Sequence, residues 1–134
     1  MVRSLKPLLM MAPLLVGGCA SAQQAMVASA AAGKAVAAAA VQVRRCYRDP
    51  AVPSAARRIV THLRVRYGPD GALIGLPALV SQQGVTPANQ AYAERMAEAA
   101  SLAVIRCSPL RLPAELHSGG WDEFDLIFSH ALLA

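Results

Sequence analysis

Residues 57–67 read Arg-Arg-Ile-Val-Thr-His-Leu-Arg-Val-Arg-Tyr, and they form the most regular pattern in the chain. Apolar side chains alternate with polar ones, which is the pattern of a strand with one face buried and one face in water. The predicted buried face holds Ile59, Thr61, Leu63, Val65 and Tyr67. The predicted outer face is basic and holds His62, Arg64 and Arg66.

The next residues, 68–71, read Gly-Pro-Asp-Gly and predict a tight turn. Proline presets the first corner of such a turn, and glycine accepts a positive φ. Residues 72–80 are then expected to return as the second strand of a hairpin. Pro77 cannot donate a ladder hydrogen bond, so this second strand is expected to lie at an edge of the sheet or to bulge at Pro77. The first strand has no proline and suits the centre.

A helix and a third strand are expected after the hairpin. Thr86 and Pro87 predict the helix start, with threonine as the N-cap and proline at the first helical position, and the helix should continue to Arg106. Residues 121–128 alternate and predict the third strand. The helix residues expected to face the sheet are Ala88, Tyr92, Met96, Ala99, Leu102 and Ala103. The inward side chains of the third strand would be Phe124, Leu126 and Phe128.

Together these elements predict an α+β fold, in which a three-stranded sheet packs against one main helix. A right-handed crossover between the second and third strands gives a split β-α-β unit with the strand order 2-1-3. Aromatic residues make up only 4% of the chain, so the core should be thin. A small domain with a thin core is expected to need a covalent staple.

Residues 1–18 have the pattern of a bacterial signal peptide. Arg3 and Lys6 form a positive start, and residues 7–16 form an apolar stretch too short to span a membrane as a helix. The segment ends Val-Gly-Gly before Cys19, which resembles the lipobox of bacterial lipoproteins. The resemblance implies that Cys19 is the lipidated first residue of the mature chain. The alternative is an ordinary cleavable signal followed by a chance cysteine.

The residues around and after Cys19 bear on localisation and tethering. Ala20 and Ser21 resemble the start of lipoproteins sent to the outer membrane, so a lipid-anchored, periplasm-facing protein is expected there. Between Gln24 and Val41, ten of eighteen residues are alanine, and Lys34 argues against a second membrane span. Residues 19–41 are therefore predicted to be a partly helical tether, and residues 42–134 the folded domain.

Cys46 and Cys107 are the only other cysteines. In an oxidising compartment an even number of thiols indicates a disulfide first. The bond would join the segment before the first strand to the end of the helix. A metal pair or a reactive thiol is the alternative, but no Cys-x-x-Cys spacing supports it.

Several spaced motifs resemble the C-terminal domain of the TolA and TonB envelope proteins, most closely the TolA form. The matching residues are Arg45-Cys46-Tyr47, Asp70-Gly71-Ala72-Leu73, Gly75, Pro77, Ile105-Arg106-Cys107, Leu112-Pro113-Ala114-Glu115 and Trp121. The resemblance covers about residues 42–130. It departs at the family's Phe-x-Pro ending, here Phe128-Ser129-His130, and in lacking the membrane helix and long stalk.

The resemblance implies a periplasmic domain that binds other envelope proteins, with components of a Tol-Pal or TonB-type system as partners. A lipid at Cys19 would not reach a motor complex through the bilayer, so the chain is expected to bind without transducing energy. The alternative function is a structural lipoprotein in an envelope-spanning secretion or conjugation apparatus.

The partner is expected to add a strand at the edge formed by residues 124–128, namely Phe124, Asp125, Leu126, Ile127 and Phe128. TonB-type domains receive partner segments at the corresponding strand. Arg64 and Arg66 offer a second, basic binding face, for which a solvated strand face is the simpler interpretation. Without the leader the chain carries 11 basic and 8 acidic side chains, which is too mild an excess to indicate nucleic acid.

No set of residues predicts catalysis, a cofactor or a metal site. His62, His117 and His130 are scattered without ligand spacing. Asp122, Glu123 and Asp125 could serve as acid and base, but they are more simply solvated charges at a strand start. The sequence therefore predicts a binding protein rather than an enzyme.

Overall fold

The computed structural model describes residues 33–114, 117 and 122–130. In chain order the elements are helix α1 over residues 33–44, a 3-10 turn at Ser54–Arg58, strand β1 at Val60–Arg66, strand β2 at Ala78–Gln83, a 3-10 turn at Gln90–Tyr92, helix α2 at Ala93–Arg106 and strand β3 at Glu123–Phe128. The mixture of a sheet with helices confirms the predicted α+β class.

The sheet has the order β2-β1-β3, as the sequence predicts. Strand β1 is antiparallel to both neighbours, so β2 and β3 run parallel to each other, as a split β-α-β unit requires. The register between β1 and β3 is continuous from Thr61 opposite Phe128 to Arg66 opposite Glu123. The pairing of β1 with β2 shifts between His62 and Leu63, which places a bulge in β2.

The core lies on one face of the sheet, where both helices contribute to it. The alternation predicted for β1 is confirmed, because the side chains of its predicted inner face are all buried. Tyr67 stacks on Phe124 with ring centroids 5.7 Å apart, and Phe128 lies 6.3 Å from Tyr47. The helices supply mainly small residues to the same cluster: Ala35, Ala39 and Val43 from α1, and Ala100, Ala103 and Val104 from α2.

Helix α1 corrects the predicted domain boundary at residue 42. Residues 33–41 were expected to belong to a partly helical tether, and they are helical, but Ala35 and Ala39 lie in the core without exposed surface. The Gln42 side chain also ties α1 to the far end of the domain, because it donates to the Arg111 carbonyl at 2.9 Å and accepts from the Arg111 N–H at 2.8 Å. The remaining tether prediction, residues 19–32, lies outside the described residues.

The second strand also lies later than predicted. Residues 72–80 were expected to form it, but β2 begins at Ala78, and Pro77 precedes the strand instead of interrupting it. The hairpin is longer because Leu73 only bridges Tyr67 and the chain then turns away through Gly75 at φ +71°. The predicted edge position of this strand is confirmed.

The start of α2 differs from the prediction that Thr86 is its N-cap. A turn and the 3-10 segment come first, and α2 begins at Ala93. Asn89 organises this entry: its side-chain oxygen accepts from the Thr86 N–H at 2.7 Å, and its amide donates to the Ala55 and Gly84 carbonyls, each at 3.0 Å. Of the predicted inner residues, Met96 and Ala103 are buried, Tyr92, Ala99 and Leu102 are half-buried, and Ala88 is exposed.

The predicted disulfide joins Cys46 to Cys107, with Cα atoms 5.7 Å apart. It fastens the segment after α1 to the end of α2.

We expect the combined change Cys46→Ser and Cys107→Ser to lower the free energy of unfolding by about 4 kcal/mol, because the crosslink closes a long loop in the unfolded chain. Urea unfolding measures this loss. Cys19→Ser is the matched control and should leave the midpoint unchanged, and an unchanged midpoint in the double variant would contradict the prediction.

The Tyr67 hydroxyl is buried without a hydrogen-bond partner among the described residues. Burial raises the pKa of Tyr67 from 10.0 to about 12. We expect Tyr67→Phe to raise the free energy of unfolding by roughly 1 kcal/mol, because it removes an unsatisfied polar group and keeps the ring.

The pH dependence gives this prediction a second measurement. The pKa of Tyr67 is higher in the folded domain than in the unfolded chain. Its ionisation therefore leaves the free energy of unfolding unchanged below pH 10 and lowers that free energy as the pH rises towards 12. Unfolding at several pH values should therefore show a smaller alkaline loss of stability in Tyr67→Phe than in the unchanged protein. Equal losses in the two proteins would show that the folded domain does not raise the pKa of Tyr67, and they would contradict the prediction.

Candidate functional site

The predicted partner-binding strand, β3, lies at one edge of the sheet. Its pairing with β1 uses one side of the strand, and no other described strand pairs with its second side. The six residues Glu123–Phe128 keep a regular register with β1, without a bulge. A regular unpaired strand edge is a template for a further strand.

The direction of the backbone groups in β3 follows from one hydrogen bond. The Tyr67 N–H donates to the Asp122 carbonyl at 3.0 Å, so these two opposite residues form a hydrogen-bonded pair. In an antiparallel ladder such pairs alternate with pairs whose backbone groups point away from each other. Counting pairs along the register shows that the N–H and C=O groups of Glu123, Asp125 and Ile127 point to the open side of the sheet.

The same alternation divides the five predicted partner-binding residues into two groups. Phe124, Leu126 and Phe128 direct their backbone groups to β1 and bury their side chains in the core, so a partner does not reach them directly. Asp125 and Ile127 offer both backbone groups and exposed side chains, and Ile127 is 51% exposed. The accessible edge therefore consists of Asp125 and Ile127 together with Glu123, which the sequence analysis did not assign to partner binding.

Arg64 and Arg66 lie on the outer face of the sheet, as predicted, but they are paired with acidic residues of β3. Arg64 donates to both oxygens of Asp125, from Nε at 2.9 Å and from Nη2 at 3.3 Å. Glu123 lies 3.7 Å from Arg64 Nε and 3.9 Å from Arg66 Nε. The hydrogen bond to Asp125 and its charge raise the pKa of Arg64. The predicted basic face is therefore largely neutralised by its own sheet.

The opposite edge, β2, differs in shape and in chemistry. Val80 is the extra residue at the bulge, and bulges disturb the pairing of a further strand. Exposed apolar side chains gather in the hairpin and on this strand: Ile74, Leu76, Leu79 and Val80. The sequence predicted a strand here but did not show that these apolar side chains would be left uncovered by the helices.

The described part of the chain contains no group of three or more His, Cys, Asp and Glu residues placed to hold a metal ion. His62 lies on the outer sheet face, His130 follows β3, and His117 has Nε2 2.8 Å from the Tyr67 carbonyl oxygen. Asp122, Glu123 and Asp125 are all exposed, and the last two are the ion-pair partners of Arg64.

The predicted lipidation site, Cys19, lies outside the described residues. Within the described ranges, no helix has the length and apolar character needed to cross a membrane. Comparisons with models of protein families, with curated proteins and with solved structures found no match to this chain.

Proposed function

We propose that this chain is a cell-envelope lipoprotein whose domain binds another envelope protein by receiving a strand at the open edge of β3. The domain binds without transducing energy of its own, and components of a Tol-Pal or TonB-type system are the proposed partners. The observation that carries the proposal is the regular β3 edge, on which Glu123, Asp125 and Ile127 direct their backbone groups outward.

The contrast between the two edges of the sheet supports β3 as the binding strand. A partner strand pairs through evenly placed backbone donors and acceptors, and pockets or exposed side chains then select the sequence. Strand β3 offers an unbroken register and one exposed apolar side chain, Ile127, next to the charged Asp125 on the outer face. Strand β2 is interrupted by the bulge at Val80, which makes it the poorer template.

Two further features support an envelope location. Residues 1–18 have the three-part pattern of an export signal that ends at Cys19. The pair Cys46 and Cys107 lies at bonding distance, and such bonds persist in oxidising compartments such as the bacterial periplasm. The resemblance to TolA-type domains agrees with this location. It implies a protein-binding domain of the periplasm with the same strand order and helix.

We expect Cys19 to carry the lipid. Cells fed with labelled palmitate should incorporate the label into the chain, and Cys19→Ala should abolish incorporation because the acylated thiol is gone. Cys46→Ala with Cys107→Ala is the control for loss of any cysteine and should remain labelled. Equal labelling of the Cys19→Ala chain would refute the lipoprotein assignment.

We expect proline at Ile127 to weaken partner binding while the domain stays folded. The Ile127 N–H faces the open side of β3, so Ile127→Pro removes a donor needed by an added strand but no bond of the ladder to β1. A photo-crosslinking residue placed at Asp125 in living cells would report on partner binding at this edge. Adduct formation should drop at least about tenfold in Ile127→Pro.

Leu79→Pro is the matched control on the opposite edge. Leu79 pairs with Leu63 in β2 and is 54% exposed, much like Ile127. Circular dichroism melts of both variants establish that they are folded. Full adduct yield in a folded Ile127→Pro protein would place recognition elsewhere.

Mass spectrometry of the adduct tests the identity of the partner. Tol or TonB-type components agree with the proposal, whereas subunits of a secretion or conjugation apparatus favour the structural alternative.

A further inference from the structure

Positive charge that no carboxylate of the described residues pairs with lies beside α2. On the outer face of the sheet, Arg64 and Arg66 are paired with Glu123 and Asp125. Arg48, Arg95 and Arg106 form no ion pair with a carboxylate in the described part of the chain. All three line the same surface cleft, which has a volume of about 170 Å³.

The cleft forms between one face of α2 and the segment that follows Cys46. The helix lines it with Arg95, Glu98, Ala99, Leu102 and Arg106, whose spacing of three and four residues puts them on a common face. Arg48 and Pro50 form the opposite wall. The disulfide fixes this wall against α2 at one end, and Arg95 reaches the Ala51 carbonyl at 3.5 Å at the other.

The chemistry of the lining is that of a site for an amphiphilic anion. Arginines stand towards both ends of the helical face, and the half-buried Ala99 and Leu102 lie between them. Among the described residues of the lining, Glu98 is the one carboxylate, so the arginines give this lining a net positive charge. Guanidinium groups bind phosphoryl oxygens through paired hydrogen bonds, and they do so without losing their charge at any ordinary pH.

We propose that this cleft binds phosphoryl anions, with Arg48, Arg95 and Arg106 as the ligands and with Pro50, Ala99 and Leu102 as an apolar floor. The phosphoryl group can come from the headgroup of an anionic lipid or from a soluble phosphate. This site is separate from the β3 edge and does not depend on the partner proposed there.

The test uses the full chain, purified in a nonionic detergent, with its arginines labelled with ¹⁵N. The Nε–H signals of individual arginines report which side chains meet the ligand. Three probes are titrated separately: mixed micelles containing phosphatidic acid, mixed micelles containing phosphatidylcholine, and inorganic phosphate. We expect saturable shifts of the Arg48, Arg95 and Arg106 signals with phosphatidic acid, and no such shift of the ion-paired Arg64.

Two variants with the same loss of charge make the test specific. Arg95→Gln with Arg106→Gln removes two proposed ligands from the cleft and should weaken binding at least about tenfold. Arg58→Gln with Arg111→Gln removes two exposed charges that do not line the cleft and should change the affinity less than about twofold, since screened charges away from the site contribute little.

The outcomes separate the sources of the phosphoryl group. Shifts with phosphatidic acid alone support a lipid headgroup, and equal shifts with inorganic phosphate support a soluble ligand. The proposal is overturned if phosphatidylcholine shifts the same signals equally, if both double variants lose affinity alike, or if neither anionic probe binds. A poly-glutamate peptide that displaces phosphatidic acid with equal affinity would overturn it in favour of an acidic protein partner.

Discussion

The structure depends on the close approach of two alanine-faced helices to one face of a narrow sheet. Ala35 and Ala39 of α1 and Ala100 and Ala103 of α2 are all fully buried. Alanine loses no side-chain entropy on burial and lets a helix lie near its neighbours, but it fills little volume. The sheet supplies the missing volume through its inward aromatic side chains, Tyr67, Phe124 and Phe128. Large residues on the strands are therefore matched to small ones on the helices.

A core of this kind needs ties between its layers, since alanine contributes little apolar area. The Cys46 and Cys107 bond joins the end of α1 to the end of α2. Beyond α2, the Leu110 N–H donates to the Gly71 carbonyl at 2.8 Å, and a Cβ at Gly71 would overlap the Leu110 carbonyl. Gly71 has φ +80°, so glycine is required there both by the turn and by this approach. These ties hold the helical layer on the sheet while leaving both sheet edges open.

The sequence predicts the elements whose side chains alternate strongly, and it fails where the deciding contacts are distant. The inner faces of β1 and β3 follow from period-two patterns, and the order 2-1-3 follows from the edge position that Pro77 favours and from a right-handed crossover. Helix α1 was assigned to the tether because alanines such as Ala35 and Ala39 are typical both of a linker and of a helix packed in a core. The entry into α2 was misassigned because buried Asn89 is stabilised by Ala55, which lies 34 residues earlier in the chain. Similarly, no local sequence pattern shows that Asp125 of β3 neutralises the charge of Arg64 on the neighbouring strand β1.

Placing α1 in the domain also shortens the tether, and this bears on how the two proposed sites are used. If Cys19 carries a lipid, residues 19–32 alone connect it to α1, and fourteen extended residues span at most about 50 Å. A domain held that near a bilayer meets phosphoryl headgroups at high local concentration, so a weak site in the α2 cleft is sufficient for binding. Contact through the cleft would bias the orientation of the domain without occupying the backbone edge of β3. A lipid-facing cleft and a protein-facing edge can then be used at the same time, because they draw on different residues of the same domain.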